Sequence, residues 1–85
     1  MNFLHYEVDL SGNDAVKVTL DKQANVRLLD SHNFQKYRNG GEHKYHGGLA
    51  KVSPVVISAP HAGHWHVVID LGGYAGSVRA GVAVV

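Results

Sequence analysis

Hydrophobic residues recur at every second position over most of this chain, the period of a strand with one face buried. Leu4, Tyr6, Val8 and Leu10 alternate with His5, Glu7 and Asp9, which predicts a first strand. Ser11-Gly12-Asn13-Asp14 then supplies consecutive turn-forming residues. Val16, Val18 and Leu20 alternate with Lys17 and Thr19 in a second strand. After the short turn Asp21-Lys22-Gln23, Val26 and Leu28 alternate with Asn25 and Arg27 in a third. Pro54 to Ser58 reads as a fourth, with the proline at its start, where a missing N–H costs least. The turn Ala59 to Gly63 leads into a strand over His64 to Leu71, and Gly72-Gly73-Tyr74-Ala75-Gly76 reads as a hairpin. In the last strand Val78, Ala80, Val82 and Val84 are expected to face inward.

The strand from His64 carries the most information. Trp65, Val67, Ile69 and Leu71 project to one face, and His64, His66, Val68 and Asp70 to the other. Trp65 is therefore expected in the core, its indole N–H needing one buried acceptor, with the imidazoles outside. The final Val82-Ala83-Val84-Val85 is apolar on both faces. It fits either a central strand or an edge that pairs with another copy, a homo-oligomer.

The period breaks between Asp30 and Lys51. Asp30 or Ser31 can cap a short helical turn, Phe34 and Tyr37 lie three apart to pack on the strands, and Gly40-Gly41 ends it. The following His43-Lys44-Tyr45-His46-Gly47-Gly48 reads as a polar, aromatic loop, and ordered loops of such length are often functional. The expectation is an all-β fold. It is a single small antiparallel β-sandwich over residues 1–85, jelly-roll-like, with one short helical turn in the central loop.

Composition narrows the function. With 18% charged and 45% hydrophobic residues the chain is globular, and a formal charge of +1 gives no strong pull toward nucleic acid or an anionic membrane. No cysteine is present, which excludes a disulfide, a thiolate nucleophile and a Cys-type zinc site, and fits a cytoplasmic protein. The residues from Met1 to Glu7 do not resemble a signal peptide, and no run approaches the ~20 apolar residues of a membrane span.

The concentrated polar chemistry is histidine. His64 and His66, two apart on a strand, place their Cα atoms about 6.5–7 Å apart on one side. That suits two ligands of a tetrahedral zinc ion, with His61 as the third, or Asp70, His43 or His46. No nucleophile elbow, ordered triad, phosphate loop or dinucleotide fingerprint occurs, so no catalytic residues and no enzymatic activity are expected. Lys36, Arg38, Lys44 and Lys51 with Tyr37 and Tyr45 make the central segment basic and aromatic, a mixture that binds single-stranded nucleic acid. Glu42 interrupts it, and Phe34 and Tyr37 are expected in the core. The main expectation is a non-enzymatic module for a small ligand or a protein. Its surface would combine Arg38, His43, Tyr45, His46, His64, His66 and Tyr74, with no cofactor. A histidine-ligated zinc domain is the alternative, and a weak single-strand binder a further one.

Two resemblances add to this. The run Val26 to Gly40, with Leu28-Leu29-Asp30, Asn33, Phe34, Tyr37 and Gly40, is similar to a segment of small jelly-roll sandwiches. These are the bacterial pre-peptidase C-terminal domains and the Golgi-dynamics domains; Gly63 to Asp70 sits where they carry a glycine, an aromatic and alternating valines. Over nearly the whole chain the sequence resembles a bacterial family of short β-domain proteins, the domain of unknown function numbered eighteen-eighty-three. The segments that carry it are Asn2 to Tyr6, Ala24 to Phe34, His43 to Gly48, Ser53-Pro54, and Gly63 through Tyr74. That resemblance implies a small β-domain, alone or attached to signalling domains of Toll/interleukin-receptor type, and carries over no catalytic residue.

Overall fold

The computed structural model describes residues 2–85. Strands β1 (Phe3–Leu10), β2 (Ala15–Leu20) and β3 (Ala24–Leu29) are followed by helix α1 (Ser31–Arg38). Then come β4 (His46–Ala50), β5 (Val55–Ser58), β6 (Gly63–Asp70) and β7 (Ala80–Val84). They form two antiparallel sheets, a four-stranded one ordered β1-β6-β3-β4 and a three-stranded one ordered β5-β2-β7. Except from β3 through α1 to β4, successive strands alternate between the sheets, so each connection crosses the sandwich. The all-β sandwich with one short helix stands as expected.

Three local expectations are corrected. The central segment contains β4, paired to β3 from Ala24↔Ala50 to Leu28↔His46. Gly47 and Gly48 leave no side chains to show alternation, and a Cβ on Gly47 would overlap the Val26 carbonyl, so the close strand approach requires glycine there. Gly72 to Gly76 does not close a hairpin, because β6 pairs with β1 and β3 while β7 pairs with β2 in the other sheet. Finally, Val84, expected to face inward, is exposed; β7 takes the edge position, one of the two that its apolar end allowed.

Between the sheets lies the main core, with Val16, Val18, Val26, Leu28, Trp65, Val67 and Ile69 all buried. Trp65 is 2% exposed, and its Nε1–H donates to the His61 carbonyl at 3.1 Å, the acceptor its burial demands. Emptying that site as Trp65→Ala removes roughly 3–5 kcal/mol.

The opposite face of β6 is exposed at His64, as expected, but covered at His66, Val68 and Asp70, contrary to the reading of an exterior face. Helix α1 lies across it, and Leu29, Phe34, Tyr37 and Val68 make a second cluster that Phe3 joins. Asp30 caps the helix, its Oδ1 accepting from the Asn33 N–H at 2.8 Å, and this bond holds its carboxyl below the usual range against the opposing pull of burial. Gly40 ends the turn at φ 78°, and Lys36 and Arg38 stand in the last turn, where cations suit the carbonyl end. Among the described residues no helix is long and apolar enough to cross a membrane.

Candidate functional site

Strand register decides which polar side chains meet. β1 and β6 pair with Glu7 opposite His66 and Asp9 opposite His64, and His5 stands one step further along opposite Val68. Same-face partners in such a ladder have Cβ atoms about 4.5–5.5 Å apart, so the outward side chains of the two strands form one polar strip.

Within it, His64 is held from both sides, Nδ1 at 2.8 Å from Asp9 Oδ1 and Nε2 at 2.9 Å from Glu7 Oε1. Two carboxylates on one ring favour imidazolium. The bond to Asp9, then that to Glu7, pushes the His64 pKa up, and the same contact with His64 pulls Glu7 down. His66 differs. It is 6% exposed, and burial, then the neighbouring His5, pushes its pKa down, which favours neutral imidazole.

His66 is bonded at both nitrogens, Nδ1 to His5 Nε2 at 2.8 Å and Nε2 to Ser31 Oγ at 2.9 Å. The two imidazoles lie edge to edge with centroids 5.1 Å apart. The Phe34 ring covers both, 4.1 Å from His5 and 4.5 Å from His66, nearly parallel to each. Thus α1 supplies both an oxygen and an aromatic lid. His66 Nδ1 is also 4.0 Å from Glu7 Oε1, and one ligand atom each from Glu7, His64 and His66 lies within 4.8 Å of the others.

The far end of β6 has another character. Asp70 is 2% exposed and accepts four hydrogen bonds. Oδ1 takes Asn25 Nδ2 at 2.9 Å and the Gly72 N–H at 2.8 Å; Oδ2 takes Arg27 Nη1 and the Tyr37 hydroxyl, each at 2.6 Å. Burial alone would raise the Asp70 pKa, but the bonds from Tyr37, Asn25 and Gly72 and the Arg27 charge outweigh it, and the net shift is downward. The Tyr37 hydroxyl is pushed far up, by burial and then by the anion it binds.

The surface expected from sequence does not assemble as one patch. His64 and His66 come together, joined by Glu7 rather than by His61. His61 is on the Trp65 side of the sheet, its ring centroid 4.9 Å from that indole and its Nδ1–H donating to the Ala62 carbonyl. His46 also lies against Trp65, at 5.9 Å. Asp70 is committed to its four donors. His43 packs between Tyr37 and Tyr45, with Nδ1–H donating to the Gly41 carbonyl. Arg38 sits over Phe34, with its guanidinium carbon 5.8 Å from the ring centre. Tyr74, 84% exposed, stands beside a shallow cavity of about 620 Å³ near Phe3, Leu4 and Leu71. Phe34 and Tyr37 are buried and cannot stack on bases.

The residues missed from sequence are His5, Glu7, Asp9 and Ser31. One signal pointed to them: His5-x-Glu7-x-Asp9 is a polar face in the same two-residue phase as His64-x-His66.

Neither a curated protein nor a solved structure matches the chain. The family model described as Domain of unknown function (DUF1883) matches residues 1–85. The alternating strands, the capped helix and the His64 strip all lie inside that match, and the chain belongs to this family.

Proposed function

We propose that this domain binds a divalent transition metal ion of the zinc type through Glu7, His64 and His66. The observation that carries this reading is the convergence of their three ligand atoms within 4.8 Å, with the remaining imidazole nitrogens already held. His64 Nδ1 is fixed by Asp9 and His66 Nε2 by Ser31, the outer bonds that orient metal-ligating histidines. An ion would take the place of the proton that His64 Nε2 shares with Glu7, leaving the bond to Asp9 intact. Exposed Glu7 and His64 give it an entry path, and the buried His66 gives it a floor. A nitrogen-rich set selects zinc, copper, nickel or cobalt over magnesium and calcium.

Zinc titration followed calorimetrically and by thermal melting tests this. One equivalent should bind, and at a hundredfold excess over Kd the stabilisation should be about 2.7 kcal/mol, roughly 10–20 °C in Tm. His64→Ala and Glu7→Gln should lose the effect and His61→Ala should keep it. Wild-type protein that neither binds zinc nor shifts its Tm would defeat the proposal.

One observation favours a second reading, docking of a small ligand or protein partner. The Arg27 guanidinium lies 5.1 Å from the ring centre of half-exposed Tyr45 and 5.5 Å from that of Tyr37. Arg27 Nε and His43 Nε2 are buried there without a hydrogen-bond partner among the described residues. Acetate or phosphate titration, watched at the Arg27 Nε–H resonance, tests it; an unmoved resonance removes it. A non-enzymatic role in a bacterial cytoplasm, beside Toll/interleukin-receptor-type domains, belongs to the same proposal. So does kinship with jelly-roll sandwiches. These rest on the sequence resemblances and the cysteine-free composition.

A further inference from the structure

Metal uptake at His66 has a consequence for the residue beside it. The Nδ1 atom that faces Glu7 is the one now bonded to His5 Nε2 at 2.8 Å. A nitrogen has one lone pair in the ring plane, so His66 cannot keep that bond and ligate an ion through the same atom. His5 must let go when the ion arrives, and its freed Nε2 lies next to the ligand it has released.

We infer that His5 becomes the fourth ligand, closing a tetrahedral site made by His5, Glu7, His64 and His66. This rests on the metal reading above. Three of the six ligand–ligand spacings fit it as they stand. Ligands about 2.0–2.2 Å from a tetrahedral ion are about 3.4 Å from one another. The separations here are 2.8 Å between His5 and His66, 2.9 Å between Glu7 and His64, and 4.0 Å between Glu7 and His66. Each lies within roughly 0.6 Å of the tetrahedral edge; His5 stands outside the group whose ligand atoms lie within 4.8 Å of one another, so its ring must swing from His66 toward Glu7 and His64 to close the site. Phe34 stacks on both His5 and His66, which keeps the two rings side by side while they shift within their common plane.

Closure changes what the ion does. Three protein ligands leave a position for water or substrate, whereas four satisfy the ion and make the site structural. The four residues come only from β1 and β6, and β1 is an edge strand of its sheet. A bound ion therefore clamps that edge, and the domain reports metal as a change in the mobility of β1 rather than as a reaction.

Cobalt(II), whose visible absorption is intense when tetrahedral and weak with more ligands, gives the test. His5→Phe keeps an aromatic ring against Phe34 while removing the nitrogen, and its metal-free Tm checks that it folds. Wild type should bind one cobalt with the intense tetrahedral bands. His5→Phe should bind at least about tenfold more weakly, its bands reduced several-fold as water enters. Equal spectra and affinity in the two proteins would overturn the fourth-ligand role while leaving the three-ligand reading intact. Tighter binding by His5→Phe would make His5 a competitor and overturn it too. No cobalt or zinc bound by wild type would sink both.

Discussion

The two ends of the polar face of β6 carry similar chemistry and opposite commitments. At Asp70, a fully buried carboxylate meets four donors from Asn25, Arg27, Tyr37 and the Gly72 backbone. Every strong acceptor direction is used, so the group holds α1, β3 and the β6–β7 connection together and has nothing left for a ligand. At the other end His64 is half in water above a buried His66, and the proton it shares with Glu7 can be traded for an ion. The saturation of Asp70 and the exposure of His64 and Glu7, not residue type, separate a structural node from a candidate site.

That contrast is broken most forcefully at its structural end. Asp70→Ala leaves the Arg27 guanidinium and the Tyr37 hydroxyl facing a void, and should cost about 3–5 kcal/mol in urea unfolding. A loss under about 1 kcal/mol would show that Asp70 is not the node described. Acid gives a graded version. Because the folded Asp70 pKa is depressed, its contribution is complete above the unfolded value of about 3.9 and is lost as pH falls through the lower folded one. Unfolding free energy should therefore fall below pH ~4 in wild type and fall less steeply in Asp70→Asn. Parallel curves would contradict the depressed pKa.

The candidate site should respond in the reverse sense. Ser31→Ala leaves His66 Nε2 without its partner, which should cost about 1 kcal/mol in stability and weaken zinc about 10–100-fold. His64→Ala should leave the metal-free Tm close to wild type while abolishing the zinc response, since the ring is half in water. A variant that loses metal-free stability as Asp70→Ala does would place His64 in the structural class.

Legibility in the sequence followed the range of the interaction. The two-residue alternation placed β1, β2, β3, β5 and β6, and Asp30 with Phe34 and Tyr37 marked the capped helix, because each signal is local. β4 stayed hidden because Gly47 and Gly48 carry no side chains to alternate. Which strands pair is a long-range property: β1 meets β6 some 60 residues away, as in His5 beside His66. Hence the second histidine-bearing strip was visible as a pattern on β1, yet its apposition to His64 and His66 was not. The covering of Val68 and Asp70 followed the same rule, since an amphipathic helix announces that it packs but not on which sheet face. His61 looked like a neighbour of His64 in sequence, but the turn that ends at Gly63 sends it to the Trp65 side.

The most direct measurement is anomalous diffraction at the zinc edge from crystals grown with one equivalent of zinc. A single peak about 2.0–2.2 Å from His64 Nε2, His66 Nδ1 and a Glu7 carboxylate oxygen is the expected result. A peak at His43, His46 or His61, or none at β1 and β6, would contradict it.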